Sequence, residues 1–173
     1  MSRLSIRLAR LWRHRWFGRA DVRKVLPEAS LNRLAGRIAA SEQRHSGQIR
    51  ICVEAALPDS YLWRSATPRQ RALTLFGKLR VWDTEHNNGV LIYLMLADRA
   101  VEIIADRGID HHVTDTDWAV MTARMSDSFK AGRFEDGLTQ ALEEVSALLM
   151  THYVLDAEAP RGPNELPDAV VVL

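Results

Sequence analysis

Residues 90–105 read VLIYLMLADRAVEIIA, and this stretch decides the fold. Val90–Leu96 is a continuous apolar run of the kind that a fully buried strand shows. The turn Ala97-Asp98-Arg99 separates it from a second run, Ala100–Ala105. A connection this short predicts that the two runs form an antiparallel hairpin.

The segments upstream of this hairpin extend the predicted sheet. The β-branched run Gln48–Ala55 predicts another strand, and Thr67-Pro68 is a typical helix start, with proline at the first helical position. A strand–helix–strand unit crosses over with a right-handed sense, so the strand at 48–55 should lie parallel to the strand at 90–96. The sequence therefore predicts an α/β domain with a small mixed sheet.

Apolar periodicity predicts the remaining elements. A helix over 2–17 should end at Gly18, and a second should start at Pro27-Glu28 and stop at Gly47. Two further helices complete the body, the first ending at Gly132. At the end of the sequence, Val170–Leu173 is predicted to add an edge strand.

Charge is concentrated in the first 24 residues. Eight basic residues and one acid give this arm a net charge of +7, so the rest of the chain carries −6 of the overall +1. The arm is amphipathic, because leucines and tryptophans share one side of the helix and arginines share the other. Such an asymmetry predicts an anionic partner for the arm.

Three interpretations of the arm remain open at this point. The first is a membrane-surface helix, with Arg3, Arg7, Arg10, Trp12, Arg13 and Trp16 as the binding residues. The second is a contact with nucleic-acid phosphates. In the third, the helix simply packs its Leu/Trp side on the body of the protein.

Polar residues are predicted to meet at one end of the sheet. The loop of residues 83–89 enters the strand 90–96 there, and the second hairpin strand returns Asp106 to the same end. The candidate metal ligands are Asp83, Glu85, Asn87, Asn88 and Asp106. Their oxygens suit Ca²⁺ or Mg²⁺, and Arg107 could take a phosphate or another anion. The alternative is a loop whose Asp and Asn side chains bond their own backbone.

Other catalytic signatures are absent from the sequence. It contains no Gly-x-Gly-x-x-Gly, no P-loop, no Gly-x-Ser-x-Gly and no histidine spacing typical of zinc sites. Cys52 lies in the apolar run Ile49–Val53 and is interpreted as a core residue. His45, His86 and His152 are interpreted as solvent-facing or capping residues. The catalytic residues thus remain unknown.

Four blocks of sequence carry a family resemblance, and they occur in a fixed order. The blocks are Ser41-Glu42-x-Arg44-His45-Ser46-Gly47-x-Ile49-Arg50, Trp82-Asp83-Thr84 with Asn88–Tyr93, Val101–Ile109, and Asn164–Asp168. They resemble TPM-domain proteins, and most of all the short bacterial membrane-protein branch of that family. The resemblance covers about residues 25–173. It implies a three-layer α/β/α sandwich over 25–156, preceded by the arm (1–24) and followed by a tail (157–173).

The resemblance also implies several functions. The family is similar to a thylakoid-lumen protein linked to acid phosphatase activity and photosystem II repair, and other relatives bind calcium or assist membrane proteins. We therefore expect a membrane-peripheral accessory module for membrane-protein assembly or repair. The alternatives are a Ca²⁺- or Mg²⁺-dependent phosphatase with a small phosphorylated substrate, and nucleic-acid binding through the arm.

The expected location is the cytoplasm, at the inner face of the membrane. No segment approaches the ~20 apolar residues that cross a bilayer, and arginines interrupt the N-terminal apolar residues that a secretory signal would need.

Overall fold

The computed structural model describes residues 3–155 and 163–173, except for the side chains of residues 3–7 and of Asp115. Its four-stranded sheet has the order β3-β2-β1-β4. The strands are β1 (Gln48–Glu54), β2 (Gly89–Met95), β3 (Ala100–Ala105) and β4 (Val171–Val172). The predicted tail strand is thus confirmed as an edge strand, paired in parallel with β1.

The pairing of the two central strands follows the sequence prediction. β1 runs parallel to β2, with Ile51 opposite Ile92, and β2 pairs antiparallel with β3, with Ile92 opposite Ile103. The sheet is therefore mixed, as expected. Arg99 takes a positive φ of 49° at the end of the hairpin turn, and this conformation closes the connection in few residues.

Eight helices surround the sheet within the described ranges. They are α1 (Arg3–Trp16), α2 (Arg19–Val25), α3 (Glu28–Glu42), α4 (Asp59–Trp63), α5 (Pro68–Lys78), α6 (Arg107–Asp110), α7 (Asp115–Lys130) and α8 (Phe134–His152). No helix in the described residues is long and apolar enough to cross a membrane.

Alternation along the strands produces two cores and three layers. Ile51, Ile92 and Ile103 point to one face of the sheet, where they pack with α2, α3, α7 and α8. Cys52 and Tyr93 point to the opposite face, where they pack with α5. Fully burying an aliphatic side chain contributes about 1.5–3 kcal/mol, so both faces must stay covered. The α/β/α sandwich is confirmed.

Local signals explain where several helices begin and end. At the start of α5, the Thr67 hydroxyl accepts a hydrogen bond from the Gln70 N–H at 3.2 Å, and the Gln70 side chain accepts one from the Thr67 N–H at 3.0 Å. Gly132 has a φ of +76° just after α7, as a C-terminal cap requires. These two boundaries agree with the sequence prediction.

The boundary predicted for α3 is wrong. The helix ends at Glu42, and Gly47 lies beyond it in the connection to β1. A Cβ atom on Gly47 would come within 2.5 Å of a Leu149 methyl group, so glycine there permits close packing against α8. The short helices α2, α4 and α6 were not expected either, since each spans at most seven residues and shows little periodicity.

One buried polar network joins α5 to the sheet. The Arg71 guanidinium donates to the Glu54 carboxylate at 2.6 Å and 2.9 Å, and the Tyr93 hydroxyl donates to it at 2.6 Å. Burial raises the pKa of the neighbouring Cys52 thiol to about 12, which keeps it protonated. Cys52 is therefore an inert core residue, as predicted.

Candidate functional site

Asn88 lies at the end of the sheet where β1 and β2 begin, and it is fully buried. Its side-chain amide donates to the Ser46 carbonyl at 3.1 Å, and its backbone N–H donates to the Thr84 hydroxyl at 3.0 Å. The amide oxygen Oδ1 has no hydrogen-bond partner in the described part of the chain. A buried polar atom without a partner is costly, so this oxygen is a candidate ligand.

Asp106 follows β3 and reaches the same end of the sheet. Its backbone N–H donates to the Gly89 carbonyl at 2.9 Å, and its Oδ1 accepts a hydrogen bond from the Arg107 N–H at 2.7 Å. Its other carboxylate oxygen, Oδ2, is buried and has no partner among the residues described. Asp106 thus caps the short helix α6 with one oxygen and leaves the other unused.

The backbone around these two residues is closely packed. The Gly108 N–H donates to the Asn87 carbonyl at 3.0 Å, which ties α6 to the loop before β2. A Cβ atom on Gly108 would lie 2.5 Å from the Tyr153 hydroxyl and 2.6 Å from the Asn87 carbonyl oxygen. Burial and the nearby Asp106 carboxylate both raise the pKa of Tyr153. The backbone and Tyr153 therefore leave no room for a side chain at position 108, next to Asp106.

The other predicted metal ligands are placed differently. Asp83 is partly exposed and forms an ion pair with Arg80. Glu85 offers its backbone N–H to the Glu165 carboxylate at 3.0 Å, and Asn87 offers its carbonyl to Gly108. In the described ranges, no group of three or more His, Cys, Asp or Glu side chains is arranged to hold a metal ion. Arg107 is exposed at the start of α6.

A cavity of about 430 Å³ opens beside this end of the sheet. Its polar lining includes Glu42, Gln48, Glu85, His86, Glu165 and Asp168. Burial raises the pKa of Glu42 to about 8, and the nearby Asp168 carboxylate adds to this shift against the opposing hydrogen bond from the Ile49 N–H. Glu42 is thus protonated at neutral pH. Sequence reasoning missed this cavity because its residues come from a helix, a strand, a loop and the tail.

His45 also lies beside this cavity, but it is nearly completely buried rather than solvent-facing. Its Nε2 accepts from the Ser41 hydroxyl at 3.0 Å, and its Nδ1 donates to the Gly47 carbonyl at 3.1 Å. Burial lowers its pKa to about 4, so the ring stays neutral. The prediction of an exposed or capping His45 was therefore wrong, because its ring fills the space between α3 and β1.

At the opposite end of the sheet, one carboxylate anchors the arm. Asp98, in the hairpin turn, lies 2.8 Å from the Arg10 guanidinium, 2.9 Å from the Arg13 guanidinium and 3.0 Å from Nε2 of His14. His14 is buried, and its Nδ1 accepts a hydrogen bond from the Leu57 N–H at 3.0 Å. Burial alone would raise the pKa of Asp98, but the His14 ring and Arg10 outweigh it and lower that pKa below its usual range.

This anchoring turns the apolar side of α1 outward. Trp12 is 65% exposed, Trp16 is 71% exposed, and their rings stack with centroids 5.9 Å apart. Trp63 on α4 is 78% exposed and lines a cavity of about 210 Å³ together with Trp12 and Arg15. We call Leu8, Trp12, Trp16 and Trp63 the aromatic patch. Packing of the Leu/Trp side on the body is thus excluded for these residues.

The six residues predicted to bind membranes divide into three groups. Trp12 and Trp16 are exposed, whereas Arg10 and Arg13 contact Asp98. The side chains of Arg3 and Arg7 lie outside the described residues. Sequence reasoning missed Trp63, because the short helix that carries it gives no periodic signal.

The chain is an α/β/α sandwich with a polar pocket at one end of its sheet. Comparison with known proteins shows which family has this fold and this sequence. The sequence model of the TPM domain matches residues 20–148. Since this match spans more than half of the 173 residues, the chain belongs to the TPM domain family. The resemblance found in the sequence is confirmed. No curated protein sequence matches the chain.

Two solved structures are similar to most of the chain. One is the BA42 protein from the psychrophilic bacterium Bizionia argentinensis, with 26% identity, a TM-score of 0.72, and coverage of 85% of this chain and 94% of that chain. The other is the N-terminal domain of a protein from P. gingivalis, with 22% identity, a TM-score of 0.62, and coverage of 76% and 83%. The second likeness supports the fold alone.

Proposed function

We propose that this chain is a peripheral membrane module whose aromatic patch lies in the lipid interface at the cytoplasmic face. There its TPM domain would assist the assembly or repair of membrane proteins. The observation that carries this proposal is the orientation of α1, which exposes Trp12 and Trp16 next to Trp63. A helix that packed for stability alone would bury these rings instead.

Physical chemistry favours lipid as the partner of this patch. Tryptophan concentrates at membrane interfaces, where its ring meets both acyl chains and headgroups. Contiguous exposed apolar side chains mark interaction sites on soluble proteins. Arg15 is exposed beside the stacked tryptophans, and Arg19 and Arg23 are exposed on α2. Each basic residue near an anionic surface adds about 1 kcal/mol of attraction.

The position of the anchor sharpens the proposal. Because Asp98 neutralises part of the charge of Arg10 and Arg13, these two arginines hold the helix on the body. The remaining arginines then provide the attraction to anionic lipid, and the indole rings insert into the lipid interface. A peripheral helix of this kind lies in the interface plane with its apolar side in the lipid.

Vesicle co-sedimentation of the full chain tests the proposal. We expect binding to vesicles of phosphatidylcholine with phosphatidylglycerol, and weaker binding to phosphatidylcholine alone. Replacing Trp12, Trp16 and Trp63 together by alanine should weaken binding by at least about tenfold. Trp82→Ala is the matched control, since it removes a half-exposed indole from outside the patch. Equal losses in both variants would refute the proposal.

A second candidate function is a metal-dependent phosphatase at the opposite end of the sheet. It rests on the unpartnered buried oxygens of Asn88 and Asp106, which fit a hard cation that prefers oxygen ligands. Such a cation would polarise a phosphoryl oxygen. Arg107 would stabilise the negative charge that develops in the reaction. Mg²⁺ takes few protein ligands and keeps several waters, which suits a pair of protein oxygens.

Calorimetric titration with Ca²⁺ and Mg²⁺ tests this candidate. Asp106→Asn keeps an oxygen to accept from the Arg107 N–H but removes the charge, so saturable binding should disappear. Asp83→Ala is the control, and binding should persist because Asp83 pairs with Arg80. A wild-type protein that binds neither ion and hydrolyses no phosphomonoester in their presence would eliminate the phosphatase.

A further inference from the structure

The strand β3 has one unpaired side in the described residues. β2 covers one side of it, and β3 ends the order of the sheet on the other. Asp106 donates to the Gly89 carbonyl, which fixes these two residues as a hydrogen-bonded pair. In antiparallel strands, residues that exchange hydrogen bonds with the partner strand alternate with residues that do not. Val101, Ile103 and Ala105 are the residues of β3 that do not, so their N–H and C=O groups point away from β2.

Within the described residues, one side chain forms a hydrogen bond with the free edge of β3, and this bond is weak. The Arg69 guanidinium lies 3.5 Å from the Ile103 carbonyl oxygen and 3.5 Å from the Glu102 carboxylate. Both distances are longer than an ordinary N–H···O hydrogen bond. Arg69 is itself mostly exposed, so an incoming backbone N–H could displace it from the Ile103 carbonyl at little cost.

The edge lies at the bottom of a groove of about 550 Å³. α5 supplies one wall with Arg69 and Leu73, and α7 supplies the other with Trp118, Ala119 and Thr122. Leu73 is 52% exposed, although it lines a groove with an apolar strand along its base. The groove therefore combines a row of unpaired backbone groups with apolar walls.

We propose that this groove binds an extended segment of a partner polypeptide, which adds to the sheet as a fifth strand beside β3. Main-chain hydrogen bonds to Val101, Ile103 and Ala105 would supply affinity, as in other cases of strand addition. A second copy of this chain fits less well, because its own β3 is also flanked by α5 and α7, and the helix walls would collide before the edges met.

The walls predict the chemistry of the partner segment. Side chains of an added strand alternate between the two faces, so every second one meets Trp118 and Ala119. Those positions should be apolar. The groove holds the carboxylates of Glu102 and Asp110 against the single guanidinium of Arg69, which leaves a net negative charge. Charge complementarity therefore favours a segment with a net positive charge.

A displayed library of random segments of about ten residues, long enough for one strand, tests the proposal on the full chain. Enriched segments should be apolar at every second position and carry a net positive charge. Ala119→Arg fills the groove from α7 and should weaken their binding by at least about tenfold. Ala123→Arg is the matched control, because it places the same side chain one helical turn further along, outside the groove lining.

Amide hydrogen exchange identifies strand addition itself. Bound peptide should slow exchange at Val101 and Ile103, whose N–H groups lack a partner strand in the free protein, and change little at Glu102, which already pairs with Tyr93. An unselective library, equal losses in the two arginine variants, or unchanged exchange at Val101 and Ile103 would overturn the proposal. Ala119→Arg should still bind vesicles, so failure here is distinguishable from failure of the membrane function.

Discussion

At the carboxyl ends of β1 and β2, Asp98 contacts three side chains of α1, whereas at the amino ends two buried oxygens have no partner in the described residues. In the first arrangement, ion pairs to one carboxylate hold one element of the chain against another. The second is incomplete, with an oxygen left over on Asn88 and on Asp106. Ion pairs therefore position α1 at one end of the sheet, and unpartnered oxygens at the other end are available to a ligand.

Removing Asp98 should release α1 from the body and produce the largest effect on stability. We expect Asp98→Ala to cost about 3–5 kcal/mol in the docking of α1, because Arg10 and the buried His14 would lose their partner. Faster hydrogen exchange throughout α1 would report the release. Asp127→Ala is the control, since this exposed residue pairs only with Lys130 on the surface, and it should leave exchange unchanged.

A pH titration of stability should test the burial of Glu42, which lines the cavity beside Asn88 and Asp106. The pKa of Glu42 is raised by burial to about 8, so its contribution to stability is complete below about pH 4.5 and is lost as pH rises through 8. Glu42→Gln should abolish a pH-dependent change on the order of a few kcal/mol in the free energy of unfolding. Urea unfolding at pH 5 and pH 9 measures it.

The exposed Glu28 of the same helix offers a matched comparison for that titration. Glu28→Gln should leave the pH dependence of the wild type intact. If the Glu42→Gln variant kept the full pH dependence of the free energy of unfolding, Glu42 could not have a raised pKa.

The smallest expected effect tests how tightly the incomplete end is packed. Gly108→Ala should lower the free energy of unfolding by about 1–3 kcal/mol, because the new methyl group would press on the Tyr153 hydroxyl and the Asn87 carbonyl. Gly36→Ala, in α3 with no atom near its added Cβ, should instead stabilise the protein by about 0.5–1 kcal/mol. Thermal unfolding distinguishes the two, and equal shifts would contradict the packing argument.

The sequence predicted features that depend on neighbouring residues. The hairpin of β2 and β3 and the helix start at Thr67-Pro68 are each encoded within a few positions, and both predictions were correct. The amphipathic character of α1 was also predicted, but not which side it would bury. That choice depends on Asp98, which is 85 residues away from Arg13 in the chain. No periodicity within the arm contains this information.

The candidate site shows the same division. Topology correctly placed Asn88 and Asp106 at one end of the sheet, because strand direction determines where each strand ends. It did not reveal that Asp83 would pair with Arg80, although their spacing of three residues permits a local ion pair. Glu42 and Asp168 lie far apart in the chain and line the same cavity in the folded protein, where the tail pairs with β1. No local pattern could have linked them.

The hydrogen bonding of the His14 imidazole should be visible in its NMR spectrum. Because the Leu57 N–H donates to Nδ1, the ring proton must sit on Nε2, facing Asp98. Once α1 leaves the body, the imidazole no longer receives this hydrogen bond and is free to exchange between tautomers. The nitrogen resonances of this one ring would therefore report whether the arm is docked, without any probe attached to the protein. The chain thus contains its own sensor for the contact between α1 and Asp98.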